Sequence, residues 1–288
     1  MAMGRLLCRT TLGEPWSTLS SSYCVYLVCI NVVACSCCLA LVLFLGVHSS
    51  FYVGDYDSAA WAYNALKSKW DDVNRGQVPL GWAVNPVLSI RFPPIFDYMY
   101  STLTPNDRLI TGDSGAGYIN PTQLFRPRDS GLPSGEGVWV DHCTAYYERY
   151  DLSFTGFIIN GAAGHMTEEA EEMYISFSPH GGVEQQGYAP SGDSVSGGVH
   201  FAGRGGRSIP MFQESDIPSD TQSAADVIVS EYNRDNSDSV PQFHVYRSIL
   251  QSPSYHLEVV NKVLAQESNR IQVVDPIELS ILASLAKK

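Results

Sequence analysis

The chain has 288 residues, 44% apolar, 17% charged and 11% aromatic, enough apolar material for one large domain or two small ones, and this excludes collagen-like, coiled-coil and disordered chains. Lysine plus arginine number 18 against 30 acids, a formal charge of −12, so no nucleic-acid partner is expected, while an acidic surface is compatible with a neutral ligand such as a carbohydrate. Six of the seven cysteines fall in the first 38 residues and only Cys143 follows, so no disulfide framework supports the remainder.

From Cys24 to Val47 the sequence carries no charge for 24 residues, enough to span a bilayer core of about 30 Å as a helix. Arg5 and Arg9 precede it and the small Ser49 follows. This predicts an apolar helix serving as signal peptide or signal anchor, membrane attachment through residues 24–47, and a secretory-pathway protein that is anchored or secreted. Residues 1–49 then form the leader and 50–288 the folded domain. Cys35-Ser36-Cys37-Cys38 lacks the second pair or the histidines of a zinc site, and reads as apolar filler or palmitoylation sites.

After residue 50 strands alternate with helices. A short apolar strand ends in Gly54-Asp55-Tyr56-Asp57, and Asp57 is placed to cap the helix beginning at Ser58. PLGWAVN reads as the second strand, Pro94 opens a helix, and a TPND turn leads into the strand RLIT and then Gly112-Asp113-Ser114-Gly115-Ala116-Gly117-Tyr118. The helix VWVDHCTAYYERY feeds the strand SFTGFIIN, and Thr167 ahead of Glu168 and Glu169 marks another helix start. Residues 179–208 hold nine glycines and read as a lid or disordered insert. Three further pairs follow: IPMFQ with AADVIVSEY, QFHVYRS with a helix after Pro253, and IQVVDP with the final helix. About seven such units predict an α/β barrel-like fold, incomplete relative to eight units, with an open doubly wound sheet as the other arrangement of the same elements.

Such folds place chemistry at the carboxyl ends of the strands, which here offer Asp55, Asp57, Asn85, Asp113, Tyr118, Asn160, Glu214, Asp216, Arg247 and Asp275. Asp55 and Asp57, one residue apart, point the same way in an extended strand end. Two carboxylates facing a sugar are what glycoside hydrolysis needs, one protonating the leaving oxygen and one acting as base or nucleophile. Asp113 is the natural partner of Asp55 or Asp57 as the catalytic pair, with Trp82, Asn85, Tyr118, Asn160 and Glu214 as sugar-binding residues. Read as ordinary structure, the same polar residues are turn formers and helix caps, and the aromatics are core.

GDSGAG echoes a serine-protease loop, but the only upstream histidine is His48, and the elbow spacing G-x-S-x-G is absent. Neither dinucleotide nor triphosphate glycine motifs occur, and the histidines form no H-E-x-x-H or H-x-H pair, so no cofactor and no metal ligand set is read. Asp55-Tyr56-Asp57 has the D-x-D form of a metal-dependent glycosyltransferase, although too little chain precedes it for a nucleotide-binding half. A non-catalytic carbohydrate-binding protein is a third class.

Gly115-Ala116-Gly117-Tyr118-Ile119-Asn120-Pro121 resembles the defining motif of the GxGYxYP putative glycoside hydrolases, with Asn120 at the second tyrosine. GDYDSAAW is similar to that family's acidic strand-end motif, with Tyr56 where glycine is usual, and WDDVNRGQVPLGWAVNP, TPNDRLITGDSGAGY, FIING, FHVYRSILQSP and VVDP also match its pattern. The resemblance spans about residues 51–288. It implies an α/β barrel-like region acting on carbohydrates, with Asp55, Asp57, Asp113 and Tyr118 at matching positions. The resemblance implies an N-terminal domain ahead of this region, where the apolar segment stands, and so also admits a truncated, inactive relative.

Overall fold

The computed structural model describes residues 46–287 apart from 57, 126, 129, 161–165, 186–197, 235–240 and 268–270. The apolar segment expected over 24–47 lies outside the described residues but for its last two. Among the described residues no helix is long and apolar enough to cross a membrane. The first strand, β1, is Val47–Tyr56 and so includes Val47, His48 and Ser49.

Around β1 the strands β2 (Leu80–Val84), β3 (Asp107–Thr111), β4 (Thr155–Ile158), β5 (Gly182–Glu184), β7 (Arg207–Asp216) and β8 (Gln242–Ile249) follow in that spatial order. β8 pairs with one edge of β1 and β2 with the other, and every neighbouring pair is parallel. The result is a closed seven-stranded parallel barrel with helices between its strands. The open-sheet arrangement is thereby excluded.

The count of seven is as expected, but the membership differs. β5, and the strand β6 (Val199–Arg204) that pairs antiparallel with β7, both come from residues 179–208, read as a lid or insert. Residues 186–197 of that stretch lie outside the described residues. The last apolar run, β9 (Ile271–Val273), joins only Val47, His48 and Ser49 of β1, below the point where β2 takes over that edge. It is therefore a partial strand wedged at one end of the barrel.

The helical connections are α1, whose α-helical ends Ala59–Trp61 and Lys67–Trp70 enclose a π-helical stretch Ala62–Leu66, then α2 (Leu88–Arg91), α3 (Pro94–Ser101), α4 (Glu136–Arg149), α5 (Glu168–Met173), α6 (Thr221–Arg234), α7 (Pro253–Glu267) and α8 (Pro276–Ala286). Ser58 accepts from Trp61 N as a side-chain cap of α1, the expected cap Asp57 lying outside the described residues, while Thr167 caps α5 as the sequence implies.

Strand alternation sends side chains to two separate cores. Phe51, Val53, Trp82, Val84, Leu109, Met211 and Tyr246 pack outward against helical residues such as Trp70, Met99, Tyr147, Ile228 and Val259. Tyr52, Ala83, Ile110, Val183, Phe212, Phe243 and Val245 point inward and meet Leu279, Leu282 and Ala283 of α8. Full burial of each large apolar side chain contributes about 1.5–3 kcal/mol.

Helix α8 reaches the interior by lying across the N-terminal ends of the strands. Asp275 caps it and pairs with Arg108 at the start of β3, and Ser280 Oγ donates to His180 O just before β5. A Cβ on Gly81 would come within 2.7 Å of Pro276 Cγ, so glycine is required where the helix seats on β2. The barrel is thus plugged at its N-terminal end, and its C-terminal end is left for chemistry.

Candidate functional site

At the C-terminal end the inward rows of β2, β7 and β8 change from apolar to polar. On β7 the row continues from Phe212 to Glu214 and Asp216, and on β8 from Val245 to Arg247. Arg247 forks onto Asp216 through Nε to Oδ1 at 2.7 Å and a terminal nitrogen to Oδ2 at 2.9 Å. Its other terminal nitrogen lies 3.5 Å from Glu214 Oε1, and the guanidinium sits 4.5 Å over the Phe157 ring. Burial works against the Arg247 charge, but the Asp216 hydrogen bonds and the Glu214 carboxylate outweigh it and raise its pKa further, so it is always protonated.

Tyr52, fully buried inside the barrel, donates its hydroxyl to Glu214 Oε2. Burial and the adjacent Glu214 charge push the phenol well above its ordinary pKa, so Tyr52 acts here only as a hydrogen-bond donor. Glu214 is therefore held between a phenol and a guanidinium.

A second carboxylate stands at the end of β3. Asp113 Oδ2 accepts from Asn85 Nδ2 at 3.0 Å, and Asn85 follows β2 on the same inward row as Ala83. Asp113 and Ser114 both have positive φ, 56° and 67°, and Gly115 follows at 123°. Left-handed backbone at non-glycine residues costs about 1–3 kcal/mol each and persists only where neighbours impose it. Here Ser114 N donates to Phe157 O at 2.6 Å, Ser114 Oγ accepts from Ile159 N and donates to Ile119 O, and Tyr174 donates to Ser114 O. The serine of GDSG is thus a main-chain fastener, its hydroxyl bonding main-chain groups among the described residues. Behind the turn, a Cβ on Gly115 would lie 3.0 Å from Cys143 Sγ, and burial pushes that thiol up to about 12, which removes it as a nucleophile.

The residues anticipated from the sequence divide by the direction in which they point. Asp113, Asn85 and Glu214 belong to the inward or mouth set, and Tyr118, 65% exposed on the loop after β3, is open to solvent at that end. Trp82, expected to stack on a sugar, instead lies fully buried in the outer layer, edge-on to Trp70 with its indole nitrogen donating to Asp107. Asn160 likewise turns outward and donates to Glu184 Oε2 at 3.2 Å. Asp55 lies on β1 but its side chain is outside the described residues, as is the whole of Asp57.

One mouth residue, Tyr52, and one mouth pairing escaped the sequence reading. Tyr52 sits mid-strand, where only counting alternation back from Gly54 would have aimed it inward, and the pairing of Arg247 with Glu214 joins two strands that no local motif connects. Among the described residues one histidine-carboxylate group has ligand atoms close enough for a metal ion, namely Glu171, Glu184 and His200.

Comparison with known proteins agrees with this architecture. The family described as "GxGYxYP putative glycoside hydrolase C-terminal domain" matches residues 47–283. A crystal structure of a putative hydrolase from Bacteroides thetaiotaomicron superposes with a TM-score of 0.62 at 18% identity, covering 83% of this chain and 45% of that one. The chain therefore spans less than half the length of that structure. A putative polysaccharide deacetylase from Mycobacterium smegmatis superposes with a TM-score of 0.51 at 9% identity, covering 85% and 92%. At these identities the two structures show a shared fold. No curated protein matches.

Proposed function

The chain belongs to the GxGYxYP putative glycoside hydrolase family, and from that premise we propose that it hydrolyses a glycosidic bond at the C-terminal mouth of the barrel. The observation that carries the proposal is the inward set Tyr52, Glu214, Arg247 and Asp216, with Asp113 at the neighbouring β3 end.

The two carboxylates have unlike surroundings, which is how acid and base roles are divided in such sites. Glu214 accepts from a phenol and faces a guanidinium, a setting suited to a nucleophile or base toward the anomeric carbon. Asp113 accepts from the neutral amide of Asn85, which holds its orientation, and it serves as the acid to the leaving oxygen. Tyr118, exposed beside it, offers a ring face to a sugar. Asp55, near the end of β1, and Asp57, outside the described residues, remain candidates for the second carboxylate in place of Glu214.

The test is sugar release from a panel of plant, microbial and animal glycans by the full chain, with and without EDTA, beside Asp113→Asn, Glu214→Gln and Asp55→Asn, each checked for folding by circular dichroism. Metal-independent release that Asp113→Asn and Glu214→Gln both reduce by orders of magnitude supports the assignment. Near-wild-type rates in folded Glu214→Gln remove that residue from the chemistry, and glycan binding without turnover replaces the enzyme with a binding protein.

A further inference from the structure

Val183 of β5 faces the barrel interior, so its neighbour Glu184 faces outward, into the layer beneath α5. Two other polar side chains converge on it there. Glu171 comes from α5, and His200 comes from β6, paired opposite the outward-facing Met211. All three are more than nine-tenths buried. His200 Nε2 lies 3.0 Å from Glu171 Oε2 and 4.0 Å from Glu184 Oε1, and the three ligand atoms fall within 4.8 Å of one another.

Two buried carboxylates, Glu171 and Glu184, stand within reach of one imidazole. Among the described residues Glu171 Oε1 is buried with no hydrogen-bond partner, and an unsatisfied buried carboxylate oxygen is costly. A divalent cation held by a neutral imidazole and two carboxylates makes the cluster neutral and supplies the missing partner. Ligand atoms about 2.0–2.2 Å from a tetrahedral ion stand roughly 3.4 Å apart, so side-chain shifts of about 1 Å or less per residue would close the present triangle around one. Asn160, donating to the other oxygen of Glu184, orients that carboxylate as an outer-layer partner does in metal sites. Imidazole among the donors argues against Mg²⁺ and Ca²⁺, which take oxygen ligands.

We propose that Glu171, Glu184 and His200 bind one transition-metal dication, Zn²⁺ by preference or Mn²⁺, as a structural clamp fastening α5 and the β6 hairpin to the outer wall of the barrel. The site faces away from the mouth and is independent of the hydrolase assignment. Sequence motifs do not reveal it, because the ligands come from three separate elements with no characteristic spacing.

The test uses the full chain, stripped with EDTA and dialysed, then titrated with Zn²⁺, Mn²⁺, Mg²⁺ and Ca²⁺ while bound metal and the thermal midpoint are measured. One equivalent of Zn²⁺ is expected, with a midpoint rise of roughly 5 °C at a hundredfold excess over Kd, and little response to Mg²⁺ or Ca²⁺. Glu171→Gln and His200→Gln preserve shape and are expected to weaken Zn²⁺ binding at least tenfold. Co²⁺ on the unsubstituted chain gives a second readout, visible ligand-field absorption saturating at one equivalent. Absence of uptake and of a midpoint shift in the unsubstituted chain overturns the proposal, as does unchanged stoichiometry and affinity in both variants.

Discussion

At the N-terminal end of the barrel α8 fills the opening with Leu279, Leu282 and Ala283, while at the C-terminal end the same inward rows finish in Tyr52, Glu214, Arg247 and Asp216. The closed end has side chains in apolar contact, a capped helix and a surface ion pair between Arg108 and Asp275. The mouth has an arginine under load from two carboxylates and an aspartate on left-handed backbone. The difference teaches that one strand set divides its labour along its length. Burial at one end supplies the free energy with which buried charge and strain are maintained at the other.

The sharpest way to break this division is to change each end and ask which property responds. Glu214→Gln is expected to lower turnover about a thousandfold or more, about 4 kcal/mol of activation free energy, with a melting temperature near that of the parent. Leu279→Ala should do the reverse. Truncating this fully buried side chain is expected to cost about 2–5 kcal/mol in urea unfolding while kcat/KM at low temperature stays within about twofold. A mouth variant that unfolds the protein without affecting catalysis, or a plug variant that abolishes catalysis while stability is intact, would show that the two ends are not separable.

The comparison can also be made across the barrel wall at a single level. On β8, Arg247 points in and is always charged, whereas the next residue, Ser248, points out and bonds His256 Nε2 at 2.7 Å. His256 Nδ1 contacts Ser252 O at 2.9 Å, so the neutral tautomer is fixed with Nδ1 donating and Nε2 accepting. Burial lowers its pKa from 6.5 to about 4. The native pKa lies below the unfolded one, so as pH falls through 6.5 the unfolded chain takes up a proton that the native chain refuses. Stability should therefore drop between about pH 6.5 and 4, by about 3 kcal/mol in all from this residue. Urea midpoints measured across that range are expected to lose this slope in His256→Gln. A slope that survives the substitution would place the acid sensitivity elsewhere.

How much of this was legible depends on whether the controlling physics was local. Apolar runs such as PLGWAVN and QFHVYRS declare buried parallel strands on their own, and Thr167 and Asp275 declare helix starts, because caps and strand burial act over a few residues. β5 was hidden because its three residues, Gly182 to Glu184, are too few to carry a period and are flanked by glycine-rich chain. β9 was counted as a barrel member because a run does not disclose how many neighbours it will have. In the site, Asp113, Asn85 and Glu214 were legible as polar residues at strand ends. Trp82 was misplaced, although alternation was available: with Ala83 and Asn85 inward, the residue between Gly81 and Ala83 must face the helices. The guanidinium fork and the Glu171, Glu184 and His200 cluster depend on strand order, which no window of sequence contains.

The smallest expected effect tests whether the plug owes anything to charge. Asp275 accepts from Ile277 N and Glu278 N as the cap of α8 and also takes Arg108, whose side chain is 44% exposed. Solvent screens such a pair, so Arg108→Ala is expected to cost no more than about 0.5 kcal/mol and to lose even that in high salt. Asp275→Ala removes the cap as well, at about 1–2 kcal/mol that salt leaves largely in place. A double-mutant cycle in urea separates the two contributions. A coupling well above about 1 kcal/mol would mean that the closed end, like the mouth, draws on a desolvated ion pair, and the division between apolar plug and charged mouth would have to be redrawn.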